Sequence, residues 1–316
     1  MTLASSSPTG SLVSSLAVVI LTHDEEQHIG RALDALAAVA SEVFVIDSGS
    51  TDNTIAIAEA KGAQVLRHPF VNYAQQFQWA LDTAPITSDW ILRLDADEII
   101  EPDLANALNE TLPKLGAEIV GINLNRKHIF LGRWVRHGGR YPLYLLRVWR
   151  RGHGRIESRW MDEHMIVSGG RVINVEGGFA DHNNNDLSFF TVKHNKYATR
   201  EAIDRLIAEL DLSPTDQGVA AGGSSEQAKS KRSWKESIYN RLPFGVGPLA
   251  YFLWRYFGQL GFLDGKEGLI YHLLQGFWYR FLVEARVLEL RKGVAPFKKA
   301  DDIKAELARL TGLAIK

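Results

Sequence analysis

Between Leu16 and Pro102 the chain alternates short, wholly apolar runs with stretches of helical periodicity, and this alternation restricts the fold more than any other feature. Leu16 to Leu21 (LAVVIL) and Val43 to Ile46 (VFVI) carry no polar residue on either face, the pattern of strands covered on both sides in a parallel sheet. Gln64 to Leu66 and Trp90 to Leu94 read as two further strands. Between them, Ile29, Leu33, Leu36, Ala37 and Ala40 line one helix face, a second helix runs to a Gly62 C-cap, and Tyr73, Phe77, Ala80 and Leu81 line a third. Thr22 and Glu25 stand at capping-box spacing before the first helix, with Asp24 as an alternative N-cap. The pattern predicts an open, mostly parallel sheet with helices on both faces. Ligands bind such sheets beyond the carboxyl ends of the strands. Thr22, Asp47 and Asp95 stand at those ends and are expected to converge.

The fourth strand carries the chemistry. Asp95, Asp97 and Glu98 put three carboxylates within four residues at its end, a costly cluster unless something positive sits there. A divalent metal carrying a ligand's phosphates answers that need, because hard cations bind through one or two carboxylates plus phosphate. The plain alternative is a solvated acidic turn ahead of the helix at Pro102, whose face is Leu104, Leu108, Leu112 and Leu115. From Glu118 the texture changes to strands at Ile119 to Phe130, Leu143 to Trp149, Met165 to Val167 and Arg171 to Val175, joined by Gly- and Arg-rich loops. Asp186 then caps a helix reaching Leu210, and Gly218 to Ser233 is a polar linker or loop. The expected organisation is a tail over 1–15, a ligand-binding half over 16–117, a mixed-sheet half over 118–216, a linker over 217–233 and an amphipathic helical region over 234–316.

Composition narrows the partners. The 316 residues hold 36 basic and 37 acidic side chains, so nucleic acid is not implied as a partner. No cysteine is present, so any metal must be held by oxygen or imidazole. The first fifteen residues lack the basic start and apolar run of a signal peptide, and the six apolar residues from Leu16 are far short of the ~20 that span a membrane. Residues 244–262 and 269–283 are crowded with aromatics around a narrow polar stripe: Tyr251, Arg255 and Gln259, then His272, Arg280 and Glu284. Two arrangements fit. The helices lie in a membrane interface with the aromatic faces down, or they form a hairpin packed on the rest of the chain. Arg286, Arg291, Lys292, Lys298 and Lys299 follow, which favours contact with an anionic surface somewhere in 244–292 and beyond.

As a set, LAVVILTHDEEQHIGRALDAL, VFVIDSGSTDNT and DWILRLDADE resemble the nucleotide-binding half of the family 2 glycosyltransferases. The likeness is strong over Leu16 to Pro102. It continues more loosely through RYPLYLLRVWRRG, WMDEH, Lys193 to Ala198 and GFLDGKEG, where it resembles the subgroup that adds sugars, often glucose, to bacterial lipopolysaccharide core or related envelope glycans. The resemblance implies an α/β fold of glycosyltransferase type A, Rossmann-like, with a mostly parallel central sheet, a mixed-sheet acceptor half and a C-terminal helical segment. It implies a UDP-sugar donor, Mg²⁺ or Mn²⁺, a glycan or lipid-linked glycan acceptor, and a cytoplasmic enzyme peripheral on the inner face of the membrane. Thr22, Glu25 and Ser48 then hold the nucleotide, and Asp47 accepts a hydrogen bond from the uracil. Asp95 and Asp97 match the family's Asp-x-Asp, with Ala96 between them, and meet the metal diphosphate and the ribose or sugar. Many members have Glu-Asp as the base that takes the acceptor's proton. Here the order is Asp162-Glu163, which leaves the base open between the two, Glu163 preferred.

Other residues carry two readings each. His182 is either a further metal or diphosphate ligand or a hydrogen-bonded structural residue. Arg147, Arg150 and Arg151 either meet phosphates or form a strand with a solvated edge, and Trp160 either stacks on a sugar or is buried. Two rival functions are a phosphohydrolase of the haloacid dehalogenase type, with Asp95 as nucleophile, and a membrane-associated glycan-binding protein without chemistry.

Overall fold

The computed structural model describes residues 15–157, 164–212, 242–313 and 315. Four parallel strands form its first half: β1 (Leu16–Thr22), β2 (Glu42–Asp47), β3 (Gln64–Arg67) and β4 (Trp90–Asp95), in the order β3-β2-β1-β4. Successive side chains of β1 serve two cores. Val18 and Ile20 join Leu33, Leu36, Leu92, Leu104 and Leu108 on one face, and Ala17 and Val19 join Phe44, Phe77, Ala80 and Ile91 on the other. The covering helices are α1 (Ile29–Leu36), α2 (Thr54–Ala60), α3 (Tyr73–Thr83) and α4 (Pro102–Thr111). This is the doubly covered sheet that the apolar runs imply.

One local expectation fails. The capping box at Thr22 and Glu25 does not form: α1 begins at Ile29, and His28 precedes it without a side-chain cap. The loop after β2 supplies better acceptors. Asp24 turns to a φ of 54°, and the backbone N–H groups of Asp24, Glu25 and Glu26 donate to Ser50 Oγ (2.9 Å), Thr54 Oγ1 (2.7 Å) and Asp52 Oδ2 (3.0 Å). The loops after β1 and β2 are thereby stitched into one ledge.

The second half extends the same sheet. β5 (Glu98–Ile100), β6 (Ile119–Phe130), β7 (Arg133–Val135), β8 (Tyr144–Arg150) and β11 (Arg171–His182) continue it as β4-β8-β6-β11-β5, with β7 on β6. Only Ala96 and Asp97 separate β4 from β5, yet three strands intervene between them in the sheet. The sheet must therefore curl, bringing its far edge back to the end of β4. This mixed, curled sheet is the type A arrangement. β9 (Gly154–Ile156) and β10 (Met165–Val167) make a separate antiparallel pair.

After α5 (Leu187–Glu209), the C-terminal region holds α6 (Val246–Leu253), a π turn at Trp254–Gly258, α7 (Gly265–Tyr271), a second π turn at His272–Trp278, α8 (Tyr279–Val294) and α9 (Ala300–Thr311). α5, α8 and α9 share a core of Ile203, Leu206, Val287, Leu290, Ile303 and Leu307. The helices do pack on the domain, but by their polar stripe. Arg255 is buried and donates from Nε to the Gly138 carbonyl (2.7 Å), His272 is fully buried, and Glu284 accepts from the Gly245 N–H (2.7 Å). The apolar faces point outward: Trp254 is 57% and Phe257 58% exposed, with Leu249, Leu253, Phe262 and Leu263 exposed beside them in sequence. Among the described residues, no helix is long and apolar enough to cross a membrane.

Candidate active site

Strand register explains why the predicted residues meet. Thr22 pairs with Asp47 and Leu21 with Asp95, so the three strand ends lie side by side. Asp47 is buried. Its carboxylate accepts from the Gly49 N–H (2.8 Å), the Ser50 N–H (3.0 Å) and Thr22 Oγ1 (3.2 Å). Burial pushes its pKa up, but the bonds from Ser50, Gly49 and Thr22 together hold it lowered, so it is a carboxylate at neutral pH. Ser48 donates from Oγ to the Thr22 carbonyl (3.0 Å). Glu25 Oε2 lies 2.6 Å from His28 Nδ1, and His28 Nε2 accepts the Asn184 N–H (3.0 Å), which puts the imidazole proton on Nδ1. Thr22, Glu25, Asp47 and Ser48 thus build the ledge beside the cavity rather than its lining.

The cavity itself, about 1000 Å³, opens where the sheet curls back. Asp95, Asp97 and Glu98 line it together with Asp181 of β11, the register partner of Glu98. Ala96, between the two aspartates, is buried. Asp95 accepts from Tyr73 OH (2.8 Å) and lies 3.7 Å from Arg147 and 4.0 Å from Arg93. Burial raises its pKa, yet Arg147 and Arg93 pull it below the ordinary carboxylate range. Among the described residues, the Asp97 carboxylate accepts from Asn183 Nδ2 (2.8 Å). Burial first, then Asp181 and Asp95, push it up to about 6, with Lys193 opposing. Glu98 is buried against Arg147 (2.6 Å) and accepts the Asp95 N–H (2.9 Å), so it braces the turn between β4 and β5. Burial raises its pKa, against the pull of Arg147.

Of the three arginines weighed from the sequence, only Arg147 reaches the cavity. Arg150 donates to the Ile119 carbonyl (2.8 Å) and Arg151 to the Ser88 carbonyl (3.0 Å), bracing the opposite end of the strand. His182 also departs from expectation. Neighbours in a strand point to opposite sides, so Asp181 turns into the cavity while the His182 ring faces Arg31 (3.5 Å). Burial, Arg31 and His28 lower the His182 pKa, which keeps it neutral. Asp181 sits 3.0 Å from His128 and 3.6 Å from Arg126. Burial opposes its ionisation, but His128, Arg126 and Arg140 hold its pKa well below the usual range. Tyr73, Arg93, Asp181, Asn183 and Lys193 are the site residues to which the sequence reading assigned no role in the site, and Glu98, read there as part of the acidic cluster, instead braces the turn. Asp162, Glu163 and Trp160 fall outside the described residues, but His164, which follows them, lines the cavity and accepts the Glu157 N–H (2.9 Å).

The donors present fit a hard divalent cation. They are carboxylate oxygens, and the crowding that raises Asp97 is a repulsion that a cation relieves. Among the described residues, no group of three or more His, Asp and Glu is arranged to hold a metal by itself. A cation that keeps ligand phosphates and waters in its shell needs only one or two carboxylates.

The sequence pattern described as Glycosyl transferase family 2 matches residues 17–176, half of the chain, and takes in these strands except the first residue of β1 and the end of β11. The chain is a family 2 glycosyltransferase. This glycosyltransferase is 30% identical over 273 residues to the lipopolysaccharide core biosynthesis glycosyltransferase LpsC of Rhizobium meliloti (strain 1021), a match covering 82% of this chain and 89% of that protein. An uncharacterized glycosyltransferase of Rickettsia conorii is 36% identical over 98 residues, 31% of this chain and 34% of its own length. Among solved structures, glucosyl-3-phosphoglycerate synthase from Mycobacterium tuberculosis, in complex with Mn²⁺, uridine diphosphate and phosphoglyceric acid, is 19% identical with a TM-score of 0.41, over 65% of this chain and 82% of that chain. Family membership removes the phosphohydrolase and the non-catalytic glycan-binding readings.

Proposed function

We propose that this enzyme is a metal-dependent, inverting glycosyltransferase that moves a hexose from a UDP-sugar to a lipid-linked, lipopolysaccharide-type envelope glycan. The observation that carries the reading is the pair Asp95 and Asp97 at the end of β4, one held ionised by Arg147 and Arg93, the other pushed up to about 6 by burial, Asp181 and Asp95. Asp97, with Asp95 beside it, would hold Mg²⁺ or Mn²⁺. Bound there, the cation would stabilise the charge that develops on the departing nucleoside diphosphate. His182 joins only if its ring turns from Arg31, and its neutral state suits a ligand.

The chain's own groups do the rest. Thr22, Glu25 and Ser48 shape the ledge on which the nucleoside lies, and Asp47, ionised, accepts the uracil N–H. Asp162 or Glu163, Glu163 preferred, takes the proton of the acceptor hydroxyl on the face opposite the leaving group. The resemblance of the later motifs, and the likeness to LpsC over most of both chains, support an envelope glycan as acceptor. The outward apolar face of residues 249–263 supports peripheral contact with the inner face of the cytoplasmic membrane.

Calorimetry with UDP tests the reading, with Mg²⁺ or Mn²⁺ and again with chelator. Binding is expected in metal, lost in chelator, and weakened at least tenfold in Asp97→Asn, since a charge-assisted contact contributes about 1.5–3 kcal/mol. Equal UDP affinity with and without metal would remove Asp97 from the role given to it.

A further inference from the structure

Not every cation of the cavity stands in direct contact with a carboxylate. Arg93 and Arg147 stand against Asp95 and Glu98, Arg126 stands against Asp181, and Lys193 acts on Asp97. Of the other lining arginines, Arg280 stands over the Tyr251 ring (4.0 Å), which leaves two. Arg140 and Arg200 both line the cavity, and neither guanidinium makes a hydrogen bond or ion pair with another described residue. Arg140 Nε is buried without a partner, and its guanidinium stands 5.3 Å from the centre of the Tyr271 ring. A buried donor left unpaired is destabilising unless a ligand takes it up.

The support behind Arg140 is elaborate. It ends the segment His137-Gly138-Gly139, where both glycines adopt left-handed φ values of 66° and 68° and any Cβ would strike His272 or Gln259. The Gly138 N–H donates to the Gln259 carbonyl (2.9 Å), its carbonyl accepts from Arg255 (2.7 Å), and Asp264 accepts the His137 N–H (2.8 Å). The C-terminal helices thus fix the loop that delivers Arg140, while Arg200 comes from α5. Tyr197, half-buried on the same helix as Arg200, lines the same cavity. The charges acting most on Asp97 are those of Asp181, Asp95 and Lys193, whereas Arg140 acts on His128, Asp181 and His272.

We propose that Arg140 and Arg200 form an anion-binding subsite for an acidic substituent, a phosphate ester or a carboxylate, on the acceptor sugar. The proposal rests on the glycosyltransferase reading but on different residues from those that take the donor. A guanidinium meets either group through paired N–H donors.

The test uses the full chain saturated with UDP and Mg²⁺, so that the donor site is filled, titrated with glucose, glucose 6-phosphate and glucuronate. At least one acidic sugar is expected to bind tenfold or more tighter than glucose, with an affinity that falls as salt rises. Which one does so identifies phosphate or carboxylate as the group. Arg140→Gln and Arg200→Gln should each weaken that binding roughly tenfold to a hundredfold. Arg140→Lys should retain part of it, with UDP affinity unchanged and cooperative unfolding kept in all three variants. Two results would overturn the proposal: acidic and neutral sugars binding alike, or the variants losing UDP affinity instead, which would assign these arginines to the donor diphosphate. Failure of UDP itself to bind would instead defeat the donor reading.

Discussion

At Asp97, binding and folding pull in opposite directions. Burial, Asp181 and Asp95 push its pKa up to about 6, above the ~3.9 of an unfolded chain. A carboxyl raised in this way adds stability below the unfolded value and loses it as pH rises through the folded one. At pH 7.5 the metal-free protein therefore carries an ionised Asp97 at a cost of at most about 3 kcal/mol. Asp97→Asn, while weakening metal-dependent UDP binding, should melt higher than wild type in chelator at pH 7.5, and the difference should vanish near pH 4. A lower melting temperature for the variant would mean that Asn183 and Lys193 more than offset the crowding. Arg147 is the opposite case. It is 6% exposed, meets Glu98 at 2.6 Å and holds Asp95 ionised from 3.7 Å, so Arg147→Ala takes the guanidinium from both and should destabilise by about 3–5 kcal/mol, measured by denaturant unfolding. Of this site the sequence displayed Asp95 and Asp97, because their motif is contiguous. Asp181 was hidden beside the more conspicuous His182, although strand alternation allows only one of the two into the cavity.

The legible elements were those with a strong period. β1, β2 and β4 are buried on both faces, and α3 and α5 are capped by Asn72 and Asp186 as a local reading of their starts allows. β5, β7 and β9 have three residues each, too few for a period to register, and of the equally short strands only β10, an apolar Met-Ile-Val run, was legible. β11 runs past the expected Val175 to His182 because the chain resumes pairing with β6 after an irregularity between Asn174 and Gly178. Least legible was the direction of the C-terminal helices. A polar stripe on an aromatic helix fits either orientation, and only the long-range contacts of Arg255 and Glu284 decide it. That inward stripe has a pH signature. His272 is fully buried, neither ring nitrogen has a hydrogen-bond partner among the described residues, and burial and Arg255 drop its pKa to about 3, with Arg140 and His137 adding to the effect and Asp264 opposing. A lowered histidine gives stability that is complete above the unfolded value near 6.5 and is lost as pH falls toward 3. From pH 7 to 5 this group should withdraw about 2 kcal/mol. A His272→Phe variant should show a shallower fall in melting temperature over that range. An unchanged slope would shift the acid sensitivity to other groups.

On the scale of the whole molecule, a formal charge of −1 coexists with a one-sided apolar surface. Leu249, Leu253, Trp254, Phe257, Phe262 and Leu263 are all exposed within fifteen residues, and Phe70, Val71, Leu131 and Phe189, exposed too, stand among the residues of the cavity lining. Monomeric surfaces scatter such residues singly, and a contiguous group marks an interaction site. Here the helices turn their charged and hydrogen-bonding groups into the protein, so whatever meets the outer face must accept it without specific polar contacts, as a lipid interface does. Arg286, Arg291, Lys292, Lys298 and Lys299 follow in the chain and favour anionic lipid, though with less weight than the apolar face. The expected result is flotation of the full chain with lipid vesicles, increased by anionic lipid and lowered only in part by salt. Joint Trp254→Glu and Phe257→Glu substitution should reduce partitioning more than tenfold, each buried aromatic contributing on the order of 2 kcal/mol, and leave metal-dependent UDP binding intact. If the wild type stays out of the lipid fraction and elutes as an oligomer that the double variant dissolves into monomers, the face is a contact between copies and the membrane reading falls. If it floats and the variant does not, the cavity works within reach of a lipid-borne acceptor, and transfer to that acceptor should drop in the variant while turnover of a water-soluble one persists.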